Sequence, residues 1–162
     1  STTMTATTRE AAIVISDEVP MITITREFDA PANKVFRAHT DPELFARWIG
    51  PDELTNEITT WDCRTGGEWA YTASDGENAY GFRGCFHQVT DGESIAQTWT
   101  FDGMPDKVAL EQLRLEALPG GRCRLVATSL CDSFEDRDAM VASGMESGIE
   151  SGYRKLDVLL AE

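Results

Sequence analysis

The groups in this sequence able to do chemistry are two histidines, four cysteines and a set of aromatic residues repeating at period two. His39 falls in a helical stretch and His87 in a strand, where it shares a face with Cys85. That pair falls short of the roughly three protein ligands of a catalytic zinc site and the roughly four of a structural one. Cys123 and Cys131 lie eight residues apart on one strand, roughly 26 Å if fully extended, too far to share an ion. The thiols, Cys63 included, form no C-x-x-C pair and are expected to be free and buried. No metal or cofactor site is expected.

Acid–base chemistry would fall to Arg83, Glu68, His87 or Tyr71. Period two sets Arg83 and His87 opposite Phe82 and Phe86, so a cavity facing the aromatics turns these two polar groups away. There is no G-x-S-x-G elbow, H-E-x-x-H pair or phosphate-cradling glycine loop. No catalytic residue is assigned.

The aromatic faces carry more information. Tyr80, Phe82 and Phe86 share one side of a strand, Trp99 and Phe101 one side of the next, and Trp69 and Tyr71 one side of an earlier strand. Such faces either close a core or line an apolar pocket for a small molecule. Gly144, Gly148 and Gly152 recur every fourth residue among Ser143, Ser147 and Ser151. Glycine inside a helix costs about 1 kcal/mol relative to alanine. The stripe therefore serves either a close approach of helix to sheet or room for a ligand beside Met145, Gly148 and Gly152. Trp48 ends a short helix.

These residues need elements to carry them. MITITREF at residues 21–28 alternates as a strand. Pro31 and the Asp41-Pro42-Glu43 run open two short helices, the second stopped by Gly50-Pro51. Six strands follow, punctuated by Gly66-Gly67, Asp75-Gly76, Asp91-Gly92 and Pro119-Gly120-Gly121, turn chemistry suited to antiparallel hairpins. From Glu135 to Leu160 the apolar spacing changes to three and four through Val141, Met145, Ile149, Tyr153, Leu156 and Leu160, which predicts one long amphipathic helix. The order β-α-α-β6-α, with about seven strands, is an α+β fold. Residues 1–20 read as a flexible lead-in whose Ile13-Val14-Ile15 patch adds an edge strand or pairs with a second subunit, and 21–162 as one domain.

Composition limits the partners. The 162 residues are 41% hydrophobic and carry a net charge of −14. Phosphate backbones and anionic membrane surfaces both need clustered lysine and arginine, so nucleic acid and membrane are excluded as partners. The absence of a long apolar run and of a basic, apolar leader gives the expectation of a cytoplasmic protein.

Five stretches in order, with the terminal helix, resemble the activator of heat-shock-protein-90 ATPase homologue family of the START-like (SRPBCC) superfamily. They are REFDAPANKVFRAHTDPELFARWIGP, DCRTGGEW, GFRGCFHQV, TWTFDG and LPGGRCRL. The resemblance spans about residues 21–162. It implies a helix-grip fold, a curved antiparallel sheet around a long carboxy-terminal helix with a cavity between them, and it places the short helices, with Trp48 at the end of the second, at the cavity mouth. A small hydrophobic or aromatic ligand in that cavity is the expected function, with Trp48, Trp69, Tyr71, Phe82, Phe86, Trp99, Met145, Gly148 and Gly152 as its lining. Two alternatives stay open: a co-chaperone-like regulator of a heat-shock protein 90 ATPase in a stress response, and a polyketide-cyclase-like or hydrolase-like enzyme. A homodimer is compatible with the exposed edge.

Overall fold

Alternation builds the sheet strand by strand. In this computed structural model, which describes residues 10–162, eight strands form one antiparallel sheet. They are β1 (Ala12–Ile15), β2 (Met21–Phe28), β3 (Thr55–Trp61), β4 (Glu68–Ser74), β5 (Ala79–Thr90), β6 (Ser94–Phe101), β7 (Ala109–Leu118) and β8 (Arg122–Leu130). The spatial order is β1-β2-β8-β7-β6-β5-β4-β3. Strands β3 to β8 are joined as successive hairpins, and only the β2–β8 pairing links distant parts of the chain. The turn glycines Gly76, Gly92, Gly120 and Gly121 all take positive φ, the conformation their hairpins demand.

The sheet has one strand more than the seven expected. The Ile13-Val14-Ile15 patch pairs with β2, Ile13 opposite Ile24, and so forms an ordered edge inside the stretch read as lead-in. Residues 1–9 of that lead-in lie outside the described residues. Bulges between Ile58 and Thr60 on β3 and between Phe86 and Gln88 on β5 shift register, a feature that bends a strand and increases local twist.

The helices are α1 (Ala32–Thr40), α2 (Pro42–Trp48), α3 (Phe134–Ala142) and α4 (Met145–Leu160). Asp41 caps α2 by accepting from the backbone N–H groups of Glu43 and Leu44, and Ser133 caps α3 through the Asp136 N–H. The expected single helix from Glu135 to Leu160 is thus two. Gly144 sits at φ +90°, in the left-handed region, and breaks the helix there. The serine–glycine repeat keeps helical spacing across a point where the backbone is not helical.

One face of α4 presents Tyr153, Leu156, Leu159 and Leu160 to the sheet, spacings of three, three and one, while Val158 on the other face is 68% exposed. They meet Phe28, Leu125, Val35 and Trp48, and Phe28 packs edge-on to Tyr153 at 5.4 Å. Burying each such side chain contributes about 1.5–3 kcal/mol. Arg26, 2% exposed, crosses from β2 to grip the Asp157 carboxylate with both terminal nitrogens, at 2.8 and 2.7 Å, and lies over the rings of Phe28 and Tyr153. The Lys34 ammonium of α1 donates to the Leu160 carbonyl at 2.6 Å, closing the free end of α4.

Candidate functional site

Register decides which side chains share the face turned to α4. Trp69 and Tyr71 of β4, Phe82 and Phe86 of β5, Gln97 and Trp99 of β6, and Ala109, Glu111 and Leu113 of β7 alternate onto that face with the core residues Leu125 and Phe28. The aromatics form a connected wall: Tyr71 lies 5.3 Å from Phe82, Phe82 5.6 Å from Trp99, and Phe45 of α2 5.5 Å from Tyr71.

The expected lining residues divide into two groups. Trp48, Trp69, Phe86 and Gly152 are buried and belong to the packed end of the interior. Tyr71, Phe82, Trp99, Met145 and Gly148 remain partly exposed although they sit between sheet and helix or at the start of α4. Trp48 is 3% exposed, so it is not at an open mouth. Its indole N–H donates to the Ala38 carbonyl at 2.9 Å and its ring stacks on Tyr153, which draws it inward.

The two helical glycines also divide. A Cβ at Gly152 would stand 3.1 Å from the Trp48 carbonyl oxygen, so this glycine allows helix and chain to approach closely. A Cβ at Gly148 would meet only Pro51 Cδ, at 3.7 Å. Space remains there.

Of the acid–base candidates, only Tyr71 shares the inner face. Arg83, Glu68 and His87 are exposed, and Arg83 pairs with Asp102 at 3.0 Å. Cys85 is exposed too, against the expectation of buried thiols, because it alternates onto the outer face; all four cysteines are free. His39 donates its Nδ1–H to the Val35 carbonyl at 2.8 Å and packs against Trp48; burial pushes its pKa down to about 4 and keeps the ring neutral. No group of three or more His, Cys, Asp or Glu among the described residues is arranged to hold a metal.

The polar feature that sequence reasoning missed is Glu111. It stands opposite Gln97 on β6 and Ser129 on β8, and its Oε1 accepts from Gln97 Nε2 at 3.2 Å. The Ser129 hydroxyl turns instead to Met140 Sδ at 3.9 Å. Burial, opposed only by the Gln97 hydrogen bond, raises the Glu111 pKa to about 7. Burial and then the Glu111 charge push the Tyr71 phenol well above its usual range. The signal was present in the strand, where Glu111 alternates with Ala109, Leu113 and Leu115 on an otherwise apolar side. A separate open depression of about 210 Å³ is lined by Arg47, Lys155, Val158 and Leu159. Its two cations are engaged, Arg47 by Glu162 and Lys155 by Asp52.

With this geometry in view, residues 29–161 match the sequence profile of the family described as activator of Hsp90 ATPase homolog 1-like protein. The chain belongs to that family. Solved structures show the same fold as this member of the activator of Hsp90 ATPase homolog 1-like family. A Rhodobacter sphaeroides protein is 24% identical with TM-score 0.85, covering 94% of this chain and 99% of its own. The Mycobacterium smegmatis protein Ms6760 is 22% identical with TM-score 0.83, covering 92% and 95% respectively. The Nitrosomonas europaea protein NE0264 is 27% identical with TM-score 0.78, covering 91% and 97%. A search of the curated proteins found no match. Family and fold supply a scaffold of the ligand-binding type. No helix of the described residues is long and apolar enough to cross a membrane.

Proposed function

We propose that this chain is a binding protein, acting in the cytoplasm, that encloses a small apolar or aromatic molecule between the sheet and α4. The observation that carries the reading is the incompletely covered aromatic wall of Tyr71, Phe82 and Trp99 on the concave face. Aromatic side chains on an inner face close against one another when the interior is only a core; these keep solvent access while facing the helix. The open position at Gly148 supports the same reading, since the first turns of α4 leave room where the later ones do not. Apolar walls with few polar groups are the usual construction of small-molecule sites.

Calorimetric titration with naphthalene tests it. Saturable one-to-one binding is expected, weakened about tenfold or more in Phe82→Ala, since a lost aromatic contact removes on the order of 1 kcal/mol beyond its buried area. Heats that never saturate, or binding indifferent to Phe82, would remove the reading.

A further inference from the structure

A carboxylate enclosed among aromatics needs hydrogen-bond donors, and Glu111 has a single one. Gln97 Nε2 is directed at Oε1, and the hydroxyl that stands opposite on β8, Ser129, is directed at Met140. Among the described residues no donor reaches Glu111 Oε2, and Gln97 Oε1 accepts no hydrogen bond. The two acceptor oxygens without a donor therefore belong to residues paired across adjacent strands, one step along β6 from Trp99 on the same face. Both residues are partly exposed, and neither oxygen is among the fully buried polar atoms without a partner, so each keeps a little access. An acceptor largely withdrawn from water and short of donors gains when a ligand donates into it.

We propose that Glu111 and Gln97 are the polar end of the binding chamber and that they select an uncharged phenol, whose hydroxyl donates to Glu111 while its ring lies along Phe82 and Trp99. This rests on the chamber reading above and deepens it. The same two acceptors select against an aromatic carboxylate, which brings no donor and a like charge into a low-dielectric space. A chain of net charge −14 reinforces that preference for neutral ligands.

The test is calorimetric titration of the full chain at pH 7.5 with three probes of nearly equal bulk: 2-naphthol, 2-methoxynaphthalene and 2-naphthoate. The expected order places 2-naphthol roughly tenfold tighter than the methoxy compound, the scale of a hydrogen bond to a charged group, and 2-naphthoate weakest. In Glu111→Leu the naphthol-to-methoxy ratio falls to about one and the penalty on naphthoate shrinks. Glu111→Gln keeps the shape of the side chain and one acceptor and should give an intermediate ratio, so it serves where the leucine variant fails to fold. A wild-type ratio near one, or a tenfold ratio that survives both substitutions, overturns the assignment of Glu111 and leaves the chamber standing. Failure of all three probes and of naphthalene to bind overturns both.

Discussion

Three glycines at one spacing should respond to alanine in three different ways, because the backbone treats each differently. Gly148 lies inside α4 with a Cβ contact of 3.7 Å to Pro51 Cδ, an ordinary van der Waals distance. Gly148→Ala should therefore express the helix preference alone, about 0.5–1 kcal/mol of added stability, or roughly 1–4 °C in Tm for a chain of this size. Gly152→Ala has the same helical gain but brings a methyl within 3.1 Å of the Trp48 carbonyl oxygen and 3.4 Å of the Gly50 nitrogen. Both neighbours are main chain, and the segment is held in place by Asn56, which donates to the carbonyls of Ala46 and Ile49. Overpacking of this kind costs about 1–3 kcal/mol, so the variant should finish below wild type. Gly144→Ala leaves space untouched but forces alanine to φ +90°, at a cost of about 1–2 kcal/mol. Thermal unfolding followed by circular dichroism should rank Gly148→Ala above wild type and the other two below it. Should Gly152→Ala prove as stable as Gly148→Ala, the division of α4 into a close-packed half and an open half is wrong.

The Arg26–Asp157 grip should behave as a buried ion pair. Asp157→Ala strands an enclosed guanidinium and should cost about 3–5 kcal/mol by urea unfolding, whereas the double change Arg26→Met with Asp157→Leu should cost much less; equal losses would contradict this. Glu111 and His39 should shape the pH profile in opposite senses. Glu111 keeps its proton in the folded state up to about pH 7 against an ordinary 4.5, so its contribution to stability is full below 4.5 and lost as pH rises through 7. The titratable groups that feel its charge are Tyr71 on β4, Tyr153 on α4 and Cys131 beyond β8. His39, lowered to about 4 from 6.5, loses stability as pH falls through that window, because only the unfolded chain takes up the proton there. Glu111→Gln should flatten the decline between about pH 4.5 and 7, and His39→Gln the decline between 6.5 and 4; urea midpoints parallel to wild type across those ranges would refute both.

Much of the sheet was written in its turns. Gly76, Gly92, Gly120 and Gly121 take positive φ in turns flanked by period-two runs, so local chemistry alone places the β4–β5, β5–β6 and β7–β8 hairpins. The pairing of β2 with β8 is a long-range contact that no local pattern encodes. β1 is only four residues long, too short to show a period. The break at Gly144 was hidden because Ser143, Ser147 and Ser151 keep the helical spacing on both sides of it.

At the site, alternation correctly grouped Tyr71, Phe82 and Trp99 and set Arg83 and His87 on the other side of the sheet. It could not say how far each aromatic is covered, since that depends on where α2 and α4 land. Trp48 is the clearest case: its hydrogen bond to Ala38 and its stack on Tyr153 join three separate helices. Glu111 was legible by parity, a lone carboxylate alternating with Ala109, Leu113 and Leu115, but its pairing with Gln97 depends on the β6–β7 register, which no local pattern sets.

The enclosed chamber is tested most directly by the four indole N–H resonances of the protein during titration with naphthalene. Trp99 is part of the incompletely covered wall, whereas the Trp48 and Trp61 indoles are tied to the carbonyls of Ala38 and Thr40. A ring bound between sheet and α4 should shift the Trp99 signal saturably, at one equivalent, and move the Trp48 signal little. Shifts that grow without saturation, or that are equal at all four indoles, would show naphthalene meeting only the surface and contradict the chamber.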